Sequence, residues 1–276
     1  MREKSSDLPR RVLTALVVLP LLVGGLLWSP WTFWPFVALA VGVSMWEMSA
    51  LVLAGAAPAA GRGTPSVAVL VGLGFLAFQV WPVAVLPALP LLGFMAGLVA
   101  LTGLWGRPTF ASADRHMGAL MSGLLLVALP LSLLGLLREK AGVSWVALAF
   151  VTTWLGDMGA YFVGRSLGRH KVAPSISPNK TVEGCLGGLV FSTLLAVGLM
   201  AWLEPELPLW FVLAVAIPAN LLGQLGDLWE SALKRRAGVK DSGELLPGYG
   251  GMFDKFDSMC FALPWIYGAW SLSGLF

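Results

Sequence analysis

Residues 65–105 read PSVAVLVGLGFLAFQVWPVAVLPALPLLGFMAGLVALTGLW, 41 consecutive positions without one charged side chain. One crossing of a bilayer takes about 20 apolar residues for about 30 Å of hydrocarbon, so this stretch is long enough for two. Trp81 and Pro82 mark the break between them, giving windows at 65–81 and 83–105. Working outward, seven more apolar windows follow the same rule: 12–28, 32–54, 117–137, 143–164, 184–203, 207–226 and 258–276. The expected fold is therefore all-α, a polytopic integral membrane protein with about nine transmembrane helices. The first window follows Arg10 and Arg11 but lacks a convincing small-residue cleavage site, so it is read as a retained helix and not a signal peptide.

Composition agrees. Of 276 residues, 57% are hydrophobic and 12% charged, with a mean hydropathy of +0.80. Globular domains carry about 25% charged residues, and one or two cores cannot hide this much apolar surface. Disorder is excluded on the same ground, and a net charge of +3 spread among apolar spans argues against nucleic acid as a partner. Cys185 and Cys260 lie inside apolar stretches and are read as packing residues.

With the N-terminus inside, 16 of the 18 Lys and Arg residues fall on the cytosolic side, and only Arg138 and Lys140 fall outside. The short outer loop holding Glu204 and Glu206 is acidic, as the positive-inside rule expects. Most charge lies beyond residue 156. Residues 1–142 are accordingly expected to be structural, lipid-facing helices. Residues 143–276 form the expected catalytic region, with cytosolic loops at 165–183 and 227–257. Glu47 in the second window is read as a buried polar contact.

The first polar segment, GDMGAYFVGRSLGRHKVAPSISPNKTVEG, runs from Gly156 to Gly184. Gly156, Ala160, Gly164 and Gly168 recur every four residues, a smooth helix face read as packing. Asp157, a carboxylate in a membrane helix, is a candidate functional group. Ser177, Pro178, Asn179, Lys180 and Thr181 resemble a turn followed by a helix start, with Glu183 in its first turn. Amides there, with Lys180, could hold a phosphate, and a plain capped helix start accounts for the same letters.

The second segment, GQLGDLWESALKRRAGVKDSGELLPGYGGMFDKFDS, runs from Gly223 to Ser258. Asp227 and Glu230 stand three apart, as do Asp254 and Asp257, so each pair can share a helix face at the membrane boundary. Such hard oxygen ligands suit Mg²⁺ over Zn²⁺. Between the pairs lie Lys234, Arg235, Arg236 and Lys240, then glycines at 248, 250 and 251 that allow backbone amides to approach an anion. No GK[ST] follows them, so a P-loop is not indicated. Together the features describe a metal and polyphosphate site. A transporter pathway through Glu47, Asp157 and Asp227 is the competing class. It fits less well, because there is no inverted repeat and the charges gather at one face.

The stretch SALKRRAGVKDSGELLPGYGGMFDKFD, Ser231 to Asp257, closely resembles the signature of the phosphatidate cytidylyltransferases, also called CDP-diacylglycerol synthases. SPNKTVEG at 177–184 and GDMGAYFVGRSLG at 156–168 resemble that family's upstream elements. The chain differs in carrying Tyr249 where the family usually has His and Lys255 where it usually has Arg. The resemblance implies a homodimeric inner-membrane enzyme joining CTP and phosphatidic acid to give CDP-diacylglycerol and pyrophosphate with Mg²⁺, a second cation being left open. It implies Asp227 and Asp254 as holders of the cation, with Asp257 and Glu230 nearby. Lys180, Lys234, Arg235, Lys240 and Lys255 would meet phosphates. Ser177, Asn179, Thr181, Asp241, Gly248, Tyr249, Gly250 and Gly251 would line the substrate side. An enzyme using CTP on another lipid, such as a polyprenol, is the alternative within this chemistry.

Overall fold

The computed structural model describes residues 7–54, 64–80, 110–245 and 250–274. It is built almost wholly of helices, and the chain is a polytopic, all-α membrane protein. Among the described residues, five helices are long and apolar enough to cross a membrane: Pro30–Leu53, Asp114–Lys140, Val143–Leu167, Val182–Leu203 and Leu209–Ala237. The windows at 12–28, 65–81 and 258–276 fall in the helices Asp7–Trp28, Thr64–Val80 and Phe253–Ser273. The window at 83–105 lies outside the described residues. Large apolar side chains point outward along these helices, as lipid permits and water does not: Leu186 is 57% exposed, Leu194 67% and Trp202 79%.

The chain divides into two compact units, one drawn from Met1–Ser132 and Arg236–Lys255, the other from Leu133–Arg235 and Phe256–Phe276. In the first, Ser29 separates Asp7–Trp28 from Pro30–Leu53 in a reciprocal cap. The Thr32 amide donates to Ser29 Oγ at 3.2 Å and the Ser29 amide to Thr32 Oγ1 at 3.1 Å, with Pro30 pre-set for the first helical turn. Phe33, Val41, Met45 and Met48 form its core with Phe75, Leu120 and Leu124. Met45 lies over Gly72 and Gly123, where a Cβ would collide with it.

In the second unit, Val143–Phe150 passes through a π-turn, Val151–Leu155, into Gly156–Leu167. The π-turn weakens the helical ladder, and the buried Asn220 restores a partner by donating to the Thr152 carbonyl at 2.8 Å. Gly156 leaves room for that amide, while Gly164 and Ala160 meet Gly184 and Gly188 of Val182–Leu203. The stripe is thus a helix-packing face.

Two boundaries differ from the sequence reading. The segment 227–257 is not loop throughout: Leu209–Ala237 continues ten residues past Asp227, and Phe253–Ser273 begins before Asp254. The run LWESALKRRA is rich in good helix formers and carries a Glu230–Lys234 pair one turn apart, so the helix has no reason to stop at the membrane boundary. Ser177–Thr181 is also no turn. It is a strand pairing antiparallel with Lys171–Ala173, and the helix starts at Val182 with Thr181 as its cap.

Candidate metal and phosphate site

Asp227 and Glu230 lie one turn apart on Leu209–Ala237, and Asp257 lies near the start of Phe253–Ser273. The helices meet at glycines: a Cβ on Gly226 would strike the Asp257 carbonyl, and Gly223 faces Ser258. That close approach brings ligand oxygens of Asp227, Glu230 and Asp257 within 4.8 Å of one another. Glu230 and Asp257 are buried and Asp227 half-buried. Unit charges about 4 Å apart repel by about 4 kcal/mol at an effective dielectric of 20, so the arrangement needs positive charge. Two ammonium groups provide part of it, Lys180 Nζ at 2.5 Å from Asp227 Oδ2 and Lys234 Nζ at 2.5 Å from Glu230 Oε2. Asp257 Oδ1 also accepts from the Ser258 amide at 2.6 Å and the Ser258 hydroxyl at 3.2 Å. Ser258 Oγ lies 3.5 Å from Asp157 Oδ2, and Ser231 Oγ donates to Asp227 Oδ1 at 3.4 Å. With all four carboxylates ionised, Asp157, Asp227, Glu230 and Asp257 exceed the two lysines by two negative charges. Hard oxygen donors with that excess fit a divalent cation of the Mg²⁺ class.

Lys180 is placed by the hairpin. Thr181 Oγ1 accepts from the Gly184 amide at 3.2 Å, and the Val182 amide donates to the His170 carbonyl at 2.8 Å. The Glu183 carboxylate accepts from the amides of Arg169 at 3.0 Å and His170 at 3.2 Å, closing the hairpin base. Arg235 Nε donates to the Ile176 carbonyl at 3.1 Å and anchors the hairpin turn on Leu209–Ala237. Ser177 is half-buried and Asn179 exposed on the second strand.

Asp254, expected with Asp227 to hold the cation, is not in the Asp227, Glu230 and Asp257 group and has a use within its own segment. Its Oδ2 accepts from the amides of Ser242 at 2.9 Å and Gly251 at 2.7 Å. Gly250, at φ +85°, leaves room for that carboxylate. The amides of Met252 and Phe253 donate to Glu47. Four backbone donors, the amides of Ser242, Gly251, Met252 and Phe253, are therefore directed at protein carboxylates. Lys240 and Asp241 are exposed and Lys255 half-buried, while Gly248 and Tyr249 lie outside the described residues. Ser258, Gly223 and Gly226 were not singled out from sequence, although two glycines three apart in an apolar span signal close helix approach.

The sequence profile of the cytidylyltransferase family matches residues 9–272. The phosphatidate cytidylyltransferase of Staphylococcus saprophyticus is 50% identical over 126 residues, 46% of this chain and 48% of that protein. The proteins of that name from Staphylococcus haemolyticus and Staphylococcus aureus are 49% identical over 123 residues and 47% identical over 126. The chain spans about half the length of the curated relatives it matches. The profile match runs through nearly the whole chain, from the first helix to the last, and includes every carboxylate of the cluster: the chain belongs to the cytidylyltransferase family.

Proposed function

We propose that this protein transfers CMP from CTP to phosphatidic acid, giving CDP-diacylglycerol and pyrophosphate at the cytosolic face of the cell membrane. The observation that carries the reading is the cluster of Asp227, Glu230 and Asp257 with Lys180 and Lys234 against it, at the end of a membrane helix. A phosphate oxygen of phosphatidic acid attacks the α-phosphorus of CTP, the bond to the bridging oxygen of the β-phosphate breaks, and pyrophosphate leaves. The nucleophile is already a phosphate monoester, so the protein's task is to bring two polyanions together and stabilise their charge. Asp227, Glu230 and Asp257 would hold Mg²⁺, which when bound neutralises phosphate charge and polarises the reacting phosphoryl group. Lys180 and Lys234 would meet phosphate oxygens, with Arg235, Lys240 and Lys255 as further cations for the two head groups. The acyl chains stay in lipid beside the spans.

The test is Mg²⁺-dependent conversion of labelled CTP and phosphatidic acid to CDP-diacylglycerol by the detergent-purified protein, with Asp257→Asn alongside. Turnover by the wild type that the variant lacks is expected. Turnover with a polyprenol or diacylglycerol but not with phosphatidic acid would overturn the substrate assignment.

A further inference from the structure

We infer that Glu47, in the N-terminal helix Pro30–Leu53, is a positioning residue that ties Ser242 to the start of the helix Phe253–Ser273. Its importance for turnover rests on the activity proposed above. The Glu47 side chain is buried, and each carboxylate oxygen is used. Oε2 accepts from the Ser242 hydroxyl at 3.0 Å and from the Phe253 amide at 2.8 Å, and Oε1 accepts from the Met252 amide at 3.2 Å. Ser242 opens the signature loop, while Met252 and Phe253 close it where Phe253–Ser273 begins. One carboxylate thus ties positions ten residues apart in sequence and sits at the positive end of a helix, where a negative charge is favoured. The glycines fit the same arrangement. A Cβ on Gly243 or on Gly251 would run into the Glu47 carboxylate, so both positions are shaped around this side chain.

The two oxygens face three donors, which makes the charge state and not only the volume of Glu47 matter. A glutamine in its place keeps the shape but must turn an amide N–H₂ toward at least one N–H or O–H donor, leaving that donor unpaired in a buried site. The tie between Ser242 and residues 252–253 then breaks more often, and Asp241 and Lys255 beside it are held less well for the nucleotide.

Hydrogen exchange and kinetics on the full-length protein in detergent test this together. In Glu47→Gln the amides of Ser242 and of 251–253 should exchange about tenfold faster or more, the size of one lost buried hydrogen bond, while the helix Val182–Leu203 keeps its protection. The variant's kcat/KM for CTP should fall by about the same factor through KM, a split that mere loss of folded protein would not give. Ser242→Ala, which removes one of the three bonds and no buried charge, should show the smaller effect in both readouts. It serves as the second variant where Glu47→Gln is recovered in poor yield. Unchanged exchange at Ser242 and at 251–253 in both variants overturns the clasp. Faster exchange with an unchanged KM for CTP overturns its role in positioning. A wild type that never turns over CTP defeats the proposed activity instead, and exchange alone then decides the clasp.

Discussion

Asp254 and Asp257 stand three apart, and from sequence they read as equivalent members of one pair. Their surroundings separate them. Asp254 receives the amides of Ser242 and Gly251, whereas Asp257 is buried beside Asp227 and Glu230. Asp257→Asn removes one of three like charges held close together, so in the absence of metal it should not lower the melting temperature in detergent. Mg²⁺ should raise the melting temperature of the wild type, by about 2.7 kcal/mol of stability at a hundredfold excess over the dissociation constant, and Asp257→Asn should abolish that rise. Turnover should drop at least 100-fold. A variant that keeps the full Mg²⁺-dependent rise would take Asp257 out of the metal site. Asp254→Asn should also lose turnover, and here the metal-dependent rise discriminates: if it persists, Asp254 acts through the loop, and if it disappears, Asp254 is a ligand. Lys180 gives a third residue-scale prediction. Its ion pair with Asp227 is about a quarter exposed, at 22% and 26%, so its worth to folding is about 1 kcal/mol or less. Lys180→Met should therefore move the melting temperature by only a few degrees while cutting turnover about tenfold or more, and equal effects on both would argue for a structural lysine. The pairing of Asp227 with Glu230 was legible because i, i+3 spacing on a helix is a local property. What Glu47 and Asp254 bind was not, since their partners are backbone amides and the Ser242 hydroxyl, brought to them from elsewhere in the chain.

Among the elements, apolar windows located the spans well because hydrocarbon imposes a length that any sequence must meet. They said little about how far a helix continues into water. From Leu209 to Asp227 the rise is about 27 Å, close to the hydrocarbon thickness, so this helix is longer than one crossing needs, and Glu230, Lys234 and Arg235 stand on its further turns. The hairpin between Lys171 and Thr181 was missed because Pro174, Ser175 and Pro178 read as turn formers, and its two strands are short and polar. The π-turn had no sequence signal, yet it dictates a measurable cost. Asn220→Leu leaves the Thr152 carbonyl without its side-chain donor in an apolar surround, which should destabilise by about 1–3 kcal/mol and lower the melting temperature accordingly. A stability equal to wild type would show that the carbonyl finds another partner. Gly226→Val should be harsher at the site than in the fold. It forces apart the helices that bring Asp227 to Asp257, so the Mg²⁺-dependent rise should be lost together with turnover.

The proposed cytidylyl transfer requires the chain as a whole to present its charged chemistry to the compartment that holds the nucleotide, and the helix ends of the second unit allow this to be tested. At one end, the Ser144 hydroxyl donates to the Glu204 carboxylate, joining the start of Val143–Phe150 to the finish of Val182–Leu203. At the other end of those same helices lie Arg165, Arg169, Lys171 and Lys180, and the basic run from Lys234 to Lys240 follows from the helix that carries Asp227. The Glu204 end, which also carries Arg138 and Lys140, and the end with the larger share of Lys and Arg are thus separated by the length of a membrane helix, and an excess of Lys and Arg favours the cytosolic side. A cysteine placed at the exposed Asn179, in a chain with Cys185 and Cys260 replaced by alanine, should resist a membrane-impermeant maleimide in intact cells and react in inverted vesicles. A cysteine at Glu206 should do the reverse. If Asn179→Cys reacted from outside intact cells, Lys180 and the carboxylates beside it would face a compartment without CTP, and the cytidylyl transfer proposed for this protein could not take place there.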